Sequence, residues 1–229
     1  MGLSVVVGLL ADLRGSDPDA ETLFRHRFDQ VNKVLAAKKF AEHREPIERD
    51  AGFPWRCTLS AYNDLHALRR VAVSLLNGRL PAPENGQASA DLLMREYYSS
   101  HLYRRPMSPG MMSPHHSTPW GFKHLLFHSD NDGFYLPLAF KFVIVQTPEM
   151  AVPGELLGSS VRLRQECMAI ARHLELPLHT DAAFVAEHRG QETSTQTGWR
   201  RFPAAAYTCL QLYRACEASL EHRAAIAFT

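Results

Sequence analysis

Four segments of the chain repeat their apolar residues every three or four positions, which is the spacing of an amphipathic helix. The four stripes comprise Phe24, Phe28, Val31 and Leu35; Leu65, Leu68, Ala72 and Leu75; Leu163, Cys167, Ile170 and Leu174; and Cys209, Tyr213, Cys216 and Leu220. The first helix is expected to begin with Asp17 as its N-cap and Pro18 at its first helical position. Either Ser159 or Ser160 is available as the N-cap of the third. A short fifth helix is predicted over 92–103.

Short apolar runs between these segments predict strands at 3–10, 56–59, 142–145 and 224–229. The stretch HLLFHSDNDGFYLP, residues 124–137, places Asp-Gly between two aromatic and aliphatic runs. This pattern predicts a β-hairpin that turns at 131–133. The sequence shows no internal repeat. The expected fold class is therefore α+β: a single domain over 1–229, with four to five helices packed on a small, mainly antiparallel sheet.

The segment 81–120 differs from the rest of the chain because it is rich in proline, methionine and serine. Its densest part reads MSPGMMSPHHSTP. Connections of this length are usually functional or disordered. We therefore expect an exposed excursion at about 81–120, outside the core.

The charge balance gives no reason to expect nucleic acid as a partner. The 229 residues include 25 Lys and Arg against 24 Asp and Glu, a formal net charge of +1. The arginine pairs are scattered, whereas a nucleic-acid binder usually concentrates its basic residues. No apolar run is long enough to cross a membrane. The expected partner is therefore a protein, with neither nucleic acid nor membrane involved, and the oligomeric state is not predicted.

The four cysteines, Cys57, Cys167, Cys209 and Cys216, show no CxxC spacing. Three of them lie on helical apolar stripes, where a free thiol acts as a small hydrophobic residue. This usage is typical of a reducing compartment. The sequence thus predicts a cytoplasmic protein without disulfides.

The stretch 124–137 also contains the densest candidate chemistry. His124 and His128 stand four residues apart, as zinc ligands do on a helix. In the predicted hairpin they would be about 13 Å apart, too far to share one metal ion. The side chains of His128 and Asp130 would project to the same side of the strand, with about 7 Å between their Cα atoms. A calcium loop is not expected, because Ala139 stands where the bidentate glutamate belongs.

Three interpretations of this stretch stay open: a structural turn, a binding patch, or a catalytic His–Asp pair. A binding patch would combine the turn with the residues before the third long helix and with the end of the chain's last helix. Its candidate members are His128, Ser129, Asp130, Asp132, Tyr135, Ser159, Ser160, Glu221, His222 and Arg223. No metal site and no cofactor is assigned.

Four stretches, VVVGLLADL, HSDNDGFYLPLAF, GSSVRL and EHRAAIAF, together resemble a family of uncharacterised, mostly bacterial proteins. The shared pattern is His-Ser-Asp, two variable residues, Gly, an aromatic residue, Tyr, a small apolar residue and Pro. Here it falls on His128, Ser129, Asp130, Gly133, Phe134, Tyr135 and Pro137. The resemblance touches about half of the chain and excludes the 81–120 segment. It implies a shared fold and a shared patch but no reaction.

The sequence as a whole favours a soluble, cytosolic binding or interaction protein, of which an immunity-type partner for a toxin is one version. This hypothesis rests on a compact polar patch without a complete catalytic constellation. The alternative is a hydrolase-type enzyme that uses His128 and Asp130, with or without a divalent metal.

Overall fold

Six strands form one sheet in the order β2-β1-β6-β3-β5-β4. The computed structural model describes residues 2–59, 62–78, 94–95, 99, 121–129, 132–147, 150–189 and 196–229. The strands are β1 (Leu3–Val7), β2 (Trp55–Leu59), β3 (Phe134–Leu136), β4 (Ile144–Val145), β5 (Leu156–Ser159) and β6 (Ile226–Phe228). Only β3 and β5 pair in parallel; the other neighbours are antiparallel.

The described residues also form seven α-helices, of which four are long. They are α1 (Leu9–Leu13), α2 (Pro18–Ala37), α3 (Tyr62–Leu76), α4 (Lys123–Leu126), α5 (Ser160–Leu174), α6 (Ala182–Ala186) and α7 (Pro203–His222). The four predicted amphipathic helices are confirmed as α2, α3, α5 and α7. The α+β fold class with a mainly antiparallel sheet is confirmed as well. Among the described helices, none combines the length and apolar character that a membrane span requires.

The start of two long helices follows from their capping residues. The side chain of Asp17 accepts a hydrogen bond from the N–H of Ala20 at 3.0 Å, and Pro18 is the first residue of α2. Ser159 caps α5 by accepting from the N–H of Arg162 at 3.3 Å. Each cap satisfies an N–H group that the helix itself leaves without a partner.

Helices cover both faces of the sheet, because successive strand residues point to opposite sides. In β1, Val5 and Val7 belong to the larger core cluster, formed with α3, α5 and α7. Val6 belongs to a second cluster on the other face, under α2. The sheet is thus buried between α2 on one side and three long helices on the other.

The predicted 92–103 helix and the 81–120 excursion lie almost wholly outside the described residues and stay predictions. One described residue of this segment, Met94, is 3% exposed and packs in the larger core cluster. At that point, at least, the chain contributes to the core.

The predicted β-hairpin at 124–137 is wrong. Its first arm is the short helix α4, and its second arm, β3, pairs with β5 and β6 instead of with a preceding strand. The predicted turn residues Asp130 and Asn131 lie outside the described residues.

Candidate functional site

The helix α4 is held at both ends by the buried side chains of Glu166 and Arg69, from two neighbouring helices. The two carboxyl oxygens of Glu166 on α5 accept hydrogen bonds from the N–H groups of His124 and Leu125, at 3.0 and 2.8 Å. Arg69 on α3 donates from Nε to the carbonyl of Leu125 and from Nη2 to that of His128, at 2.9 and 2.8 Å. These contacts satisfy backbone N–H and C=O groups that a single helical turn leaves without hydrogen-bond partners.

The His128 ring lies inside the protein and faces backbone. Its Nδ1 is 3.0 Å from the carbonyl oxygen of Ser129, and its Nε2 is 3.2 Å from that of Phe134. The ring stacks on Tyr135 with 3.9 Å between centroids, and the residue is 4% exposed. This environment fixes the bend before β3 and leaves the imidazole little access to a substrate.

His124 has a different environment and a defined protonation state. Its Nδ1 accepts a hydrogen bond from the N–H of Ser159 at 3.0 Å, so the ring proton sits on Nε2, which faces the Lys141 carbonyl at 3.4 Å. Burial lowers the pKa of His124 to about 4, which keeps the ring neutral. Within the described residues, no three His, Cys, Asp or Glu side chains converge as a metal site would require.

Asp132 and Gly133 join the bend to α2 and to the turn before β5. Asp132 Oδ1 accepts from the N–H of Gly133 at 2.7 Å and from Arg27 on α2 at 2.8 Å. Gly133 has φ = 93°. A Cβ on Gly154, which has φ = 70°, would lie 2.6 Å from the nitrogen of Gly133. The two turns therefore meet backbone to backbone, which only glycine allows.

Three further members of the predicted patch form internal hydrogen bonds. The hydroxyl of Ser159 donates to the carbonyl of Leu138 at 2.6 Å, and that of Ser160 donates to the carbonyl of Leu136 at 3.1 Å. The Tyr135 hydroxyl donates to the carbonyl of His124 at 2.8 Å. All three residues are buried, and their bonds connect β3 to α4 and to the start of α5.

The remaining members lie at the end of α7. Glu221 and Arg223 are exposed, and Arg223 ends the helix in the left-handed conformation, with φ = 53°. His222 stacks on Phe53 with 4.6 Å between ring centroids. The structure thus gives the patch residues both internal and exposed positions. A binding role for them stays a prediction.

A second His and Glu pair, in the sequence HREP, is brought together with the segment EHRAAIAF near the C-terminus. Glu45 Oε2 lies 2.7 Å from Nε2 of His43 and accepts from the N–H of Ala225, also at 2.7 Å. Asn32 on α2 bonds both the N–H and the carbonyl of His43. Burial is the main cause that raises the pKa of Glu45. The pair fastens the 43–46 loop to the sheet, a role that the local sequence does not indicate.

Comparison with known proteins gives one family. A family model described as "Putative DNA-mimic protein" matches residues 1–228. No curated protein and no solved structure matches the chain.

This finding corrects the expectation about partners. The sequence left the kind of protein partner open, with neither nucleic acid nor membrane involved, whereas the family description points to proteins that bind DNA and not to nucleic acid itself. The expectation came from the overall charge, which does not show how charges are arranged on one surface. The match also extends well beyond the half of the chain that carried the resemblance. Since it spans residues 1–228, the chain belongs to the "Putative DNA-mimic protein" family.

Proposed function

We propose that this protein binds a DNA-binding protein at the surface through which that partner contacts DNA. The observation that carries the proposal is the family match over residues 1–228. We further propose a cytosolic location, supported by four cysteines that are all free thiols.

The mimicry has to come from a local surface and not from the charge of the whole molecule. Duplex DNA carries one negative charge per about 1.7 Å of its axis, whereas this chain has a formal net charge of +1. Several arginines are neutralised by carboxylates of the protein itself. These ion pairs are Arg14–Glu48, Arg27–Asp132, Arg56–Asp12, Arg164–Glu217 and Arg189–Asp64.

The surface that we favour is the solvent side of α2, called the α2 face and defined by Asp19, Leu23, His26 and Asp29. All four residues are exposed, and Leu23 retains 50% of its surface. At 1.5 Å per residue, the two aspartates are about 15 Å apart along the helix axis. Rigid carboxylates at such a separation can contact two basic side chains of a partner, and Leu23 offers an apolar contact between them.

A groove of about 560 Å³ continues the α2 face towards the loop that follows the helix. Its lining residues are His26, Asp29, Asn32, Lys33, Ala36, Phe40 and Glu42. The carboxylates of Asp29 and Glu42 and the aromatic ring of Phe40 are the groups that bind a guanidinium by charge and by stacking. Lys33 lines the same groove, and Arg44 forms an ion pair with Glu42 at 3.7 Å. The groove would therefore admit one basic side chain of the partner, which would take the place of Arg44 beside Glu42.

The hydrolase alternative gains no support from the site geometry. Both nitrogens of His128 face backbone carbonyl groups, and Asp130 lies outside the described residues. The immunity-type hypothesis is compatible with the proposed partner class in one form, because a nuclease toxin is itself a DNA-binding protein.

The proposal is tested by competition with DNA. Proteins that DNA-cellulose retains from a lysate of the encoding organism are passed over the immobilised chain. We expect a retained protein that a duplex oligonucleotide releases, because both ligands would occupy one surface. Retention that duplex DNA leaves unchanged, or no retention, would overturn the proposal.

Paired variants then locate the surface, with the released partner purified and its Kd measured. Asp19→Asn with Asp29→Asn should raise Kd at least about tenfold. The matched control is Glu175→Gln with Glu221→Gln, which removes the same charge directly after α5 and at the end of α7, on the other side of the sheet. If the control weakens binding and the α2 pair does not, the surface lies on the α5 and α7 side of the sheet.

A further inference from the structure

Among the strands that the structure describes, β4 forms one edge of the sheet, because it is the last member of the strand order. It pairs with β5 through Ile144 and Leu157, and the N–H of Gln146 donates to the carbonyl of Glu155 at 2.8 Å. In an antiparallel pair, alternate residues direct their N–H and C=O groups to opposite sides. The backbone of Val145, between Ile144 and Gln146, therefore points away from β5, towards the open edge.

Two large apolar side chains are exposed beside this edge. Phe142 retains 54% of its surface and Val145 retains 53%. Single exposed apolar residues are common on protein surfaces. Two of them lie within four positions, next to the outward-facing backbone of Val145. Together they offer both contacts that an added strand uses, which are backbone hydrogen bonds and apolar side-chain contacts.

Two lysines surround the exposed ring. The Nζ of Lys123 is 5.4 Å and that of Lys141 is 5.0 Å from the centroid of Phe142. Lysines at an edge oppose pairing with an identical edge, because the same charges would meet. The same two charges attract an anionic segment. The chemistry of the edge thus disfavours a second copy of the chain and favours an acidic partner.

We propose that the β4 edge binds an extended, acidic segment of a protein partner. The segment adds a strand beside Val145, places its carboxylates near Lys123 and Lys141, and packs an apolar side chain against Phe142. This surface is separate from the α2 face, so the inference does not depend on DNA mimicry. Single-stranded nucleic acid also stacks on an aromatic ring between cations, but it makes no use of an open backbone edge.

The test uses three fluorescent probes and anisotropy measurements on the full chain. The probes are a peptide of about seven residues that alternates glutamate and valine, a peptide of the same length that alternates lysine and valine, and an oligothymidylate of about ten nucleotides. We expect only the acidic peptide to bind, with a Kd on the order of tens of micromolar. Equal binding of both peptides, preferential binding of the oligonucleotide, or no binding at all would overturn the proposal.

Variants separate strand addition from simple charge attraction. Val145→Pro removes the outward N–H without removing a bond to β5, and should raise the Kd of the acidic peptide at least about tenfold. Val145→Thr keeps that N–H and should bind as the parent does. Lys123→Glu with Lys141→Glu should transfer binding to the lysine peptide. Circular dichroism verifies that each variant is folded. Val145→Pro binding as tightly as the parent would rule out strand addition.

Discussion

His124 is a buried histidine whose proton location is dictated by the backbone of Ser159. Because Nδ1 accepts a hydrogen bond, a protonated ring would lose that bond and would carry a charge in the core. The pKa of about 4 is therefore below the ordinary value of about 6.5. In the unfolded chain the ring takes up its proton at the higher value. The stability that His124 contributes is complete above pH 6.5 and is lost as the pH falls towards 4.

Glu166 acts in the opposite direction. Burial raises the pKa of this carboxyl to about 8, although two backbone N–H groups bond to it. The folded state therefore holds the proton that the unfolded state releases near pH 4.5. The contribution of Glu166 to the stability of the fold declines as the pH rises from 4.5 to 8. Between pH 4.5 and 6.5 the two residues offset each other. Within that range, the pH profile of the parent protein alone would conceal both contributions.

Replacing His124 by asparagine should make the free energy of unfolding less dependent on pH between pH 6.5 and 4. Asparagine can still accept the hydrogen bond from Ser159, but it does not titrate. Between pH 6.5 and 4 the parent should lose on the order of 3 kcal/mol more unfolding free energy than His124→Asn, since one pKa unit corresponds to about 1.4 kcal/mol. Urea unfolding at a series of pH values measures the difference. His26→Asn, at an exposed position, is the control. Parallel profiles for the parent and His124→Asn would contradict this account.

At the scale of elements, local pattern predicted the long helices and failed at the short one. The stripe Phe28, Val31 and Leu35 is repeated over several turns, so packing and local preference agree. The helix α4 has a single turn, and its stability depends on Glu166 and Arg69, which lie 41 and 56 positions away from Leu125. No local pattern contains that information. The Asp-Gly signal identified a turn but could not show what precedes it.

The contact between the turns at Gly133 and Gly154 can be tested with a matched pair of substitutions. Gly15→Ala places a side chain at φ = 74° in open space, so it should cost only the backbone penalty of about 1–2 kcal/mol. Gly154→Ala, at φ = 70°, adds a clash with backbone atoms of Asp132 and Gly133. It should lower the free energy of unfolding by about 1–3 kcal/mol more. Chemical unfolding of both variants checks this, and equal losses would show that the turns can separate.

For the molecule as a whole, the sequence predicted the fold class and not the arrangement of the site. The α+β architecture follows from patterns spread along the chain. By contrast, the bond between Glu45 and Ala225 joins residues 180 positions apart. The sequence offered Ser159 and Ser160 as N-cap candidates and as members of a binding patch, but both are buried, because α5 begins directly at the end of β5. Ser160 lies between β3 and α7. The composition likewise gave no sign of the DNA-mimic family, since a balanced composition says nothing about which charges share a surface.

The near balance of positive and negative charges leads to a prediction about how salt affects the binding of the partner. A partner that binds duplex DNA releases condensed counterions, so log K falls with log salt with a slope of about −0.9 for each phosphate neutralised. A protein of formal net charge +1 has no condensed counterion layer to release. The same partner should therefore bind this protein with a much shallower salt dependence, although both ligands compete for one site. Titrations of the DNA-competed partner at a series of salt concentrations measure both slopes. Equal slopes would show that the contact surface has a charge density like that of DNA, which the ion-paired arginines and the groove beside α2 do not provide.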